Sequence, residues 1–171
     1  MIDWLRRLNG LDRSLSERLT LPLTSPWRWL PAAGAHLGDG LFWLAVGGFL
    51  LAFGAPFIRG ITLNALAAVL LSNGLSTLVK YTVRRRRPQE LTQFYTSKHD
   101  RYSFPSGHAT RMAAIAVIVS AWAPPLTLPA WALALLVALC RVLVGVHYLS
   151  DVIAGLAIGA AGATVVLRIA L

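Results

Sequence analysis

Three short stretches hold side chains whose types and spacing could do chemistry together. The first reads Lys80-Tyr-Thr-Val-Arg84-Arg85-Arg86-Arg87-Pro88. On a helix, Lys80 and Arg87 fall on nearly one face, about 10 Å apart along the axis. From there both could reach one anion, and Pro88 would end the helix. Arg84, Arg85 and Arg86 read as the solvated basic flank of a membrane helix. The second stretch is Phe104-Pro105-Ser106-Gly107-His108-Ala109-Thr110, directly before an apolar run. A helix opened by Ser106 and Gly107 offers a hydroxyl and free N–H groups at its positive end, which suits an anion. His108 sits in that first turn, where it could give or take a proton. A helix cap with an incidental histidine is the plainer reading. The third set is Arg141, His147 and Asp151. Asp151 lies four residues after His147, so its carboxylate can orient the ring and make the far nitrogen a better nucleophile or base. Arg141 stands in an apolar run, where a charge is costly unless it is paired, functional or snorkels to the surface. On a regular helix Arg141 and His147 do not share a face, and Gly145 is where the helix could loosen.

Together the three sets bring two histidines, an acid and at least three cations to one place. The cations call for an anion, and an acid beside a buttressed imidazole suits phosphoryl transfer. No metal-ligand set is apparent, since the one candidate carboxylate already serves His147.

The elements that must position these groups follow from composition. The chain has 171 residues, with 16 Lys and Arg against 7 Asp and Glu, a formal charge of +9. Yet only 13% of residues are charged and 56% are hydrophobic, and the mean hydropathy is +0.62. That apolar excess excludes a disordered chain and a soluble nucleic-acid binder. A single cysteine, Cys140, excludes an intramolecular disulfide framework and a Cys-rich zinc site. The pattern fits an all-α integral membrane bundle of about five spans, at 41–58, 60–79, 107–123, 127–146 and 150–170, each near the length a bilayer needs. Arg59 and Gly60 make the first join, Pro124, Pro125 and Pro129 make the turn before the fourth span, and Ser150 caps the fifth.

Before the spans, Trp4, Leu8, Leu11, Leu15 and Leu19 recur at helical spacing among charges. This predicts an amphipathic helix in the membrane interface rather than a signal peptide or a span; a water-soluble helix packed on a loop is the alternative. Trp27 and Trp29 read as interfacial anchors. Gly155 and Gly159 suit close helix packing within one chain, with dimerisation as the alternative use. Asn64, Ser72 and Asn73 are expected to hydrogen-bond between helices. His36 and Asp39 read as a structural turn. The whole is expected to form one domain, with 1–40 interfacial and 41–171 the bundle.

Lys-x6-Arg-Pro, then Pro-Ser-Gly-His, then Arg-x5-His-x3-Asp resembles the type-2 phosphatidic acid phosphatase superfamily. The three motifs occur in order from Lys80 to Asp151. The resemblance implies a metal-independent membrane phosphatase without a cofactor. By that resemblance, Lys80, Arg87 and Arg141 hold the phosphate oxygens, and Ser106 and the Gly107 backbone add hydrogen bonds. His147 attacks phosphorus and becomes phosphohistidine, Asp151 fixes its tautomer, and His108 protonates the leaving oxygen. The substrate would be a lipid phosphate monoester or diphosphate, such as phosphatidic acid, phosphatidylglycerophosphate, a polyprenyl phosphate or lipid A. Alternatives are a phosphotransferase or a vanadate-dependent peroxidase in the same pocket, or a non-catalytic protein that binds anionic lipid. The loop 89–104, with Phe94, Tyr95, Lys98, His99 and Tyr102, would border the entrance. The expected location is a bacterial or archaeal cell membrane, with the oligomeric state open. Larger members of that family commonly have six spans and an extracytoplasmic site. Here fourteen Lys and Arg lie on the side of the motifs against two on the other, which by the positive-inside rule favours a cytoplasmic site.

Overall fold

The computed structural model describes residues 3–88 and 101–170, which form seven α-helices and no strand. In chain order these are α1 (Asp3–Leu19), α2 (Trp29–His36), α3 (Gly40–Phe53), α4 (Pro56–Val83), α5 (Gly107–Trp122), α6 (Thr127–Leu143) and α7 (Leu149–Ala170). Short 3-10 turns at Pro26–Arg28 and Pro124–Leu126 precede α2 and α6. The proline-rich turn expected before the fourth span is the second of these. The side chains of Asp3, Trp4 and Arg6, and the entrance residues Phe94, Tyr95, Lys98 and His99, lie outside what is described.

Helix α5 is the centre of the bundle, packed by α4, α6 and α7. Its Ala109, Ala113, Ala114 and Ile118 are fully buried. Its neighbours turn large apolar side chains outward, among them Leu70 and Leu78 of α4, Leu128 of α6 and Ile169 of α7. Such an apolar exterior around a small-residue interior suits lipid as the surroundings. Among the described residues three helical segments are long and apolar enough to cross a membrane, namely α4, Pro124–Leu143 and α7. The bent pair Pro26–His36 and Gly40–Phe53, at 43°, makes a fourth if it counts as one span. Helix α5, with 16 residues, is about 24 Å long.

The first join is not at Arg59 and Gly60. Helix α3 ends at Phe53, and α4 already begins at Pro56. Proline is well suited to the first helical position, where its missing N–H is not needed, and Gly60 is simply carried inside α4. Small residues do the expected packing within the chain. A Cβ on Gly155 would stand 2.5 Å from the Ser106 carbonyl oxygen, and one on Gly159 would collide with the Thr110 carbonyl. Of Asn64, Ser72 and Asn73, Ser72 crosses to another helix, donating to the Gly159 carbonyl at 3.4 Å. Asn64 donates to Gly60 of its own helix at 2.9 Å. The Asn73 Oδ1 is buried with no partner among the described residues.

Helix α1 turns its polar side inward. Leu8, Leu11, Leu15 and Leu19 are all exposed, whereas Ser16 is buried. The apolar stripe is therefore not packed on the protein, which supports the interfacial expectation over that of a helix packed on a loop.

Candidate active site

The polypeptide leaves α4 at Arg84, whose φ of 52° is left-handed, and runs irregularly to Pro88. Lys80, half-buried, is in the last turn of α4, but Arg87 lies beyond the helix. The two are thus not on one helix face, contrary to expectation. A residue before proline is pushed out of the helical region, so the helix stops ahead of Arg87. In this irregular segment exposure alternates: Arg84 and Arg86 are exposed, while Arg85 and Arg87 are not. The buried Ser103 pins this segment, with its N–H on the Arg85 carbonyl at 2.9 Å and its hydroxyl on the Arg86 carbonyl at 3.2 Å.

Arg85 is not a solvated flank. It donates to Asp151 Oδ1 at 2.7 Å, to Ser150 Oγ at 2.6 Å and to Asp12 Oδ2 at 2.6 Å. Its guanidinium also stacks over Tyr148, 3.9 Å from the ring centroid. Burial works against its charge, but Asp12 and Asp151 more than offset this and raise its pKa above the ordinary arginine value.

Helix α6 ends at Leu143, so His147 lies in a loop rather than in a helix. Gly145, with a φ of 78°, makes the turn that a side chain would strain. His147 and Asp151 are almost wholly buried, with His147 Nδ1 3.5 Å from Asp151 Oδ2. The same oxygen accepts from the Tyr148 N–H at 2.9 Å, as an acid in the first turn of a helix does when it reaches back to the cap. Ser150 is thus inside the first turn of α7, not its cap. Two further first-turn donors go to α1: Leu149 N–H to Ser16 Oγ at 2.9 Å and Ser150 N–H to Asp12 Oδ1 at 3.0 Å. On its other side, His147 Nε2 is 3.4 Å from Arg87 Nη1. Arg87 also donates to the Val146 carbonyl at 3.0 Å and the Tyr102 carbonyl at 3.3 Å. Of the expected entrance residues, only Tyr102 is therefore placed, its ring edge-on to Tyr81.

Ser106 caps α5, and its N–H donates to the Asp151 carbonyl at 2.9 Å. The N-termini of α5 and α7 are thereby held side by side. Gly107 is the first residue of α5. The Ser106 hydroxyl is buried with no hydrogen-bond partner among the described residues. Such a group is costly unless something fills the site. Arg141, 1% exposed, does not snorkel, and it acts electrostatically on His108.

His108 is held from a place the motifs do not include. Its Nε2 is 2.8 Å from Asp39 Oδ1, and Asp39 Oδ2 is 2.6 Å from His36 Nδ1. Burial alone would raise the Asp39 carboxyl, but hydrogen bonds from His108 and His36 hold it below its usual range. The turn at His36 and Asp39 is therefore structural in shape yet reaches the site. Among the described residues no group of three or more His, Cys, Asp or Glu stands as a metal-ligand set. Beside this end of the bundle, a cavity of about 250 Å³ opens between α3, α4 and α5, lined by Gly40, Trp43, Gly47, Leu66, Asn73 and Arg111 among others.

The chain is similar to several known proteins. The PAP2 superfamily model matches residues 61–171. The chain is 35% identical over 127 residues to a decaprenylphosphoryl-5-phosphoribose phosphatase of Mycobacterium tuberculosis, spanning 74% of this chain and 71% of that protein. It is 37% identical over 99 residues to a lipid A 1-phosphatase of Rhizobium johnstonii, spanning 54% and 41%. Its fold resembles the crystal structure of a transmembrane PAP2-type phosphatidylglycerolphosphate phosphatase from Bacillus subtilis, with a TM-score of 0.77 at 24% identity over 96% of this chain and 86% of that one. Aquifex aeolicus LpxE gives 0.72 at 22% identity, over 91% and 93%. With three motifs gathered at one end of an apolar helical bundle, and a family match over most of its length, the chain is a phosphatase that belongs to the PAP2 superfamily.

Proposed function

We propose that this phosphatase hydrolyses a lipid phosphate through a phosphohistidine at His147. The observation that carries the reading is the setting of that ring: Nδ1 faces Asp151 and Nε2 faces Arg87. A guanidinium only donates, so its approach to Nε2 suits a lone pair there. The proton then lies on Nδ1, toward the carboxylate. Nε2 is thus the nucleophile.

In the first step Nε2 forms a bond to phosphorus as the bond to the leaving oxygen breaks. His108 gives that oxygen a proton, which an alkoxide needs at neutral pH. Arg87, Arg141 and Lys80, with the Ser106 hydroxyl and the Gly107 N–H, surround the transferring oxygens and spread their charge. In the second step water attacks phosphorus, His108 takes its proton, and the N–P bond breaks to release phosphate. The buried Ser106 hydroxyl supports a phosphate oxygen as its partner.

The apolar cavity between α3, α4 and α5 supports a leaving group with a hydrocarbon chain, as do the names of the similar phosphatases. The excess of Lys and Arg on the same side supports a cytoplasmic site. Phosphate release from a panel of lipid phosphates in nanodiscs, with and without chelator, tests the reading. The expected result is chelator-resistant turnover and an acid-labile, base-stable phosphoenzyme. In His147→Ala the phosphoenzyme disappears and kcat falls by at least about a thousandfold. Unchanged release in that variant would exclude His147 as the nucleophile.

A further inference from the structure

We infer that Asp39, in the link between α2 and α3, is the positioning carboxylate of His108, so that the site is built from two carboxylate–imidazole pairs rather than one. This rests on the reading of His108 as the proton donor. Asp39 lies outside all three motifs and 69 residues from His108 in the chain.

The geometry is specific. The contact from Asp39 Oδ1 to His108 Nε2 is 2.8 Å, and among the described residues it is the only hydrogen bond of that side chain. Asp39 Oδ2 is taken by His36 Nδ1 at 2.6 Å, which fixes the plane of the carboxylate. The link is itself clamped to α5. Arg111, one turn after His108, donates to the Gly38 carbonyl, and Trp43 Nε1 donates to the Leu37 carbonyl at 2.7 Å. Gly38 lies flat against the ring, since a Cβ there would stand 2.9 Å from His108 Cδ2 and 2.6 Å from Val137 Cγ1. Packing on one side and a carboxylate at one nitrogen leave the ring little freedom.

The chemistry follows from which nitrogen is held. A carboxylate accepts, so Nε2 carries its proton throughout and Nδ1 is the working atom. With both nitrogens protonated, Nδ1–H passes to the leaving oxygen. The neutral ring that results has its lone pair on Nδ1, ready to take a proton from the water that attacks phosphohistidine. Among the charged groups that act on the ring, Asp39 is the acid set against Arg141 and Arg111. Asp39 thus does for His108 what Asp151 does for His147, and it is a positioning residue, not one that touches substrate.

The test uses two leaving groups. A dialkylglycerol phosphate in nanodiscs needs a proton on its departing alkoxide, whereas p-nitrophenyl phosphate leaves as a stable phenolate. For Asp39→Asn we expect kcat/KM, which reports formation of the phosphoenzyme, to fall about ten- to a hundredfold on the lipid and less than about threefold on the aryl ester. Asp39→Glu should recover part of the loss. Nitrogen-15 shifts of His108 in the full protein should show the Nε2–H tautomer, and a mixture in Asp39→Asn, independently of turnover. Equal losses on both substrates, or an unaltered tautomer, would overturn the inference. If His147→Ala and His108→Ala release phosphate like the unaltered protein, the catalytic reading fails and takes the inference with it. If those variants are inactive while Asp39→Asn is not impaired on the lipid, the inference alone fails.

Discussion

Asp151 divides its two oxygens between neighbours. Oδ1 accepts from Arg85 at 2.7 Å, and Oδ2 lies against Tyr148 N–H and His147 Nδ1. Arg85 therefore sets the angle at which the carboxylate meets the imidazole. Removing it leaves a buried acid with one anchor fewer, and small misplacements at a reacting centre are costly. Arg85→Ala should lower kcat about ten- to a hundredfold with KM little changed, read as phosphate release from a lipid phosphate. Arg85→Lys should recover only part of the loss, because an ammonium cannot bridge Asp12, Ser150 and Asp151 as a planar fork does. Arg84→Ala and Arg86→Ala, at exposed positions, should leave kcat within about twofold of the unaltered protein. If they match the loss in Arg85→Ala, the basic run acts as a general field and not through one contact. Four consecutive arginines look alike in sequence. The alternation that separates them belongs to the irregular segment after α4, whereas the seven-residue spacing from Lys80 to Arg87 suggests a helix.

At the scale of elements, α1 is a cap for α7. Asp12 and Ser16 accept the first-turn N–H groups of α7, the helix that carries Asp151. Losing a cap of this kind costs about 1 kcal/mol. Asp12→Ala should therefore lower the melting temperature in detergent by roughly 2–8 °C, and kcat should fall with it because Arg85 loses an anchor. A melting curve unchanged in Asp12→Ala would show that α7 does not depend on α1. The α5–α7 contact gives a second test. Gly159→Ala presses a methyl onto the Thr110 carbonyl, where rigid backbone must give way, at about 1–3 kcal/mol. Gly74→Ala meets nothing within 4 Å, so it should be neutral or slightly stabilising. Equal effects in the two would mean that helix propensity, not the close approach, governs Gly159. The glycine spacing in α7 is visible in sequence; its facing partner, the first two turns of α5, is not.

For the whole molecule, every group of the proposed mechanism lies at one end of the bundle, on the side where Lys and Arg crowd. With that side in the cytoplasm, a reporter fused after Leu171 should read as extracytoplasmic; a cytoplasmic reading would reverse the orientation. The sequence by itself determined the class of fold and the three motif sets. Apolar run length, proline positions and motif spacing are local properties, and bilayer thickness turns them directly into helices. It also marked His147, His108 and Asp151, because their spacing suffices to suggest a site. Tertiary structure alone decided which of four arginines meets Asp151, that Asp12 and Ser16 complete the start of α7, and that Asp39 reaches His108. These are contacts between residues far apart in the chain, made by side chains whose types are ordinary for a basic flank, an amphipathic helix and a turn. Spacing carries no record of such pairs; they exist once α5 and α7 have packed closely enough for their N-termini to share one site.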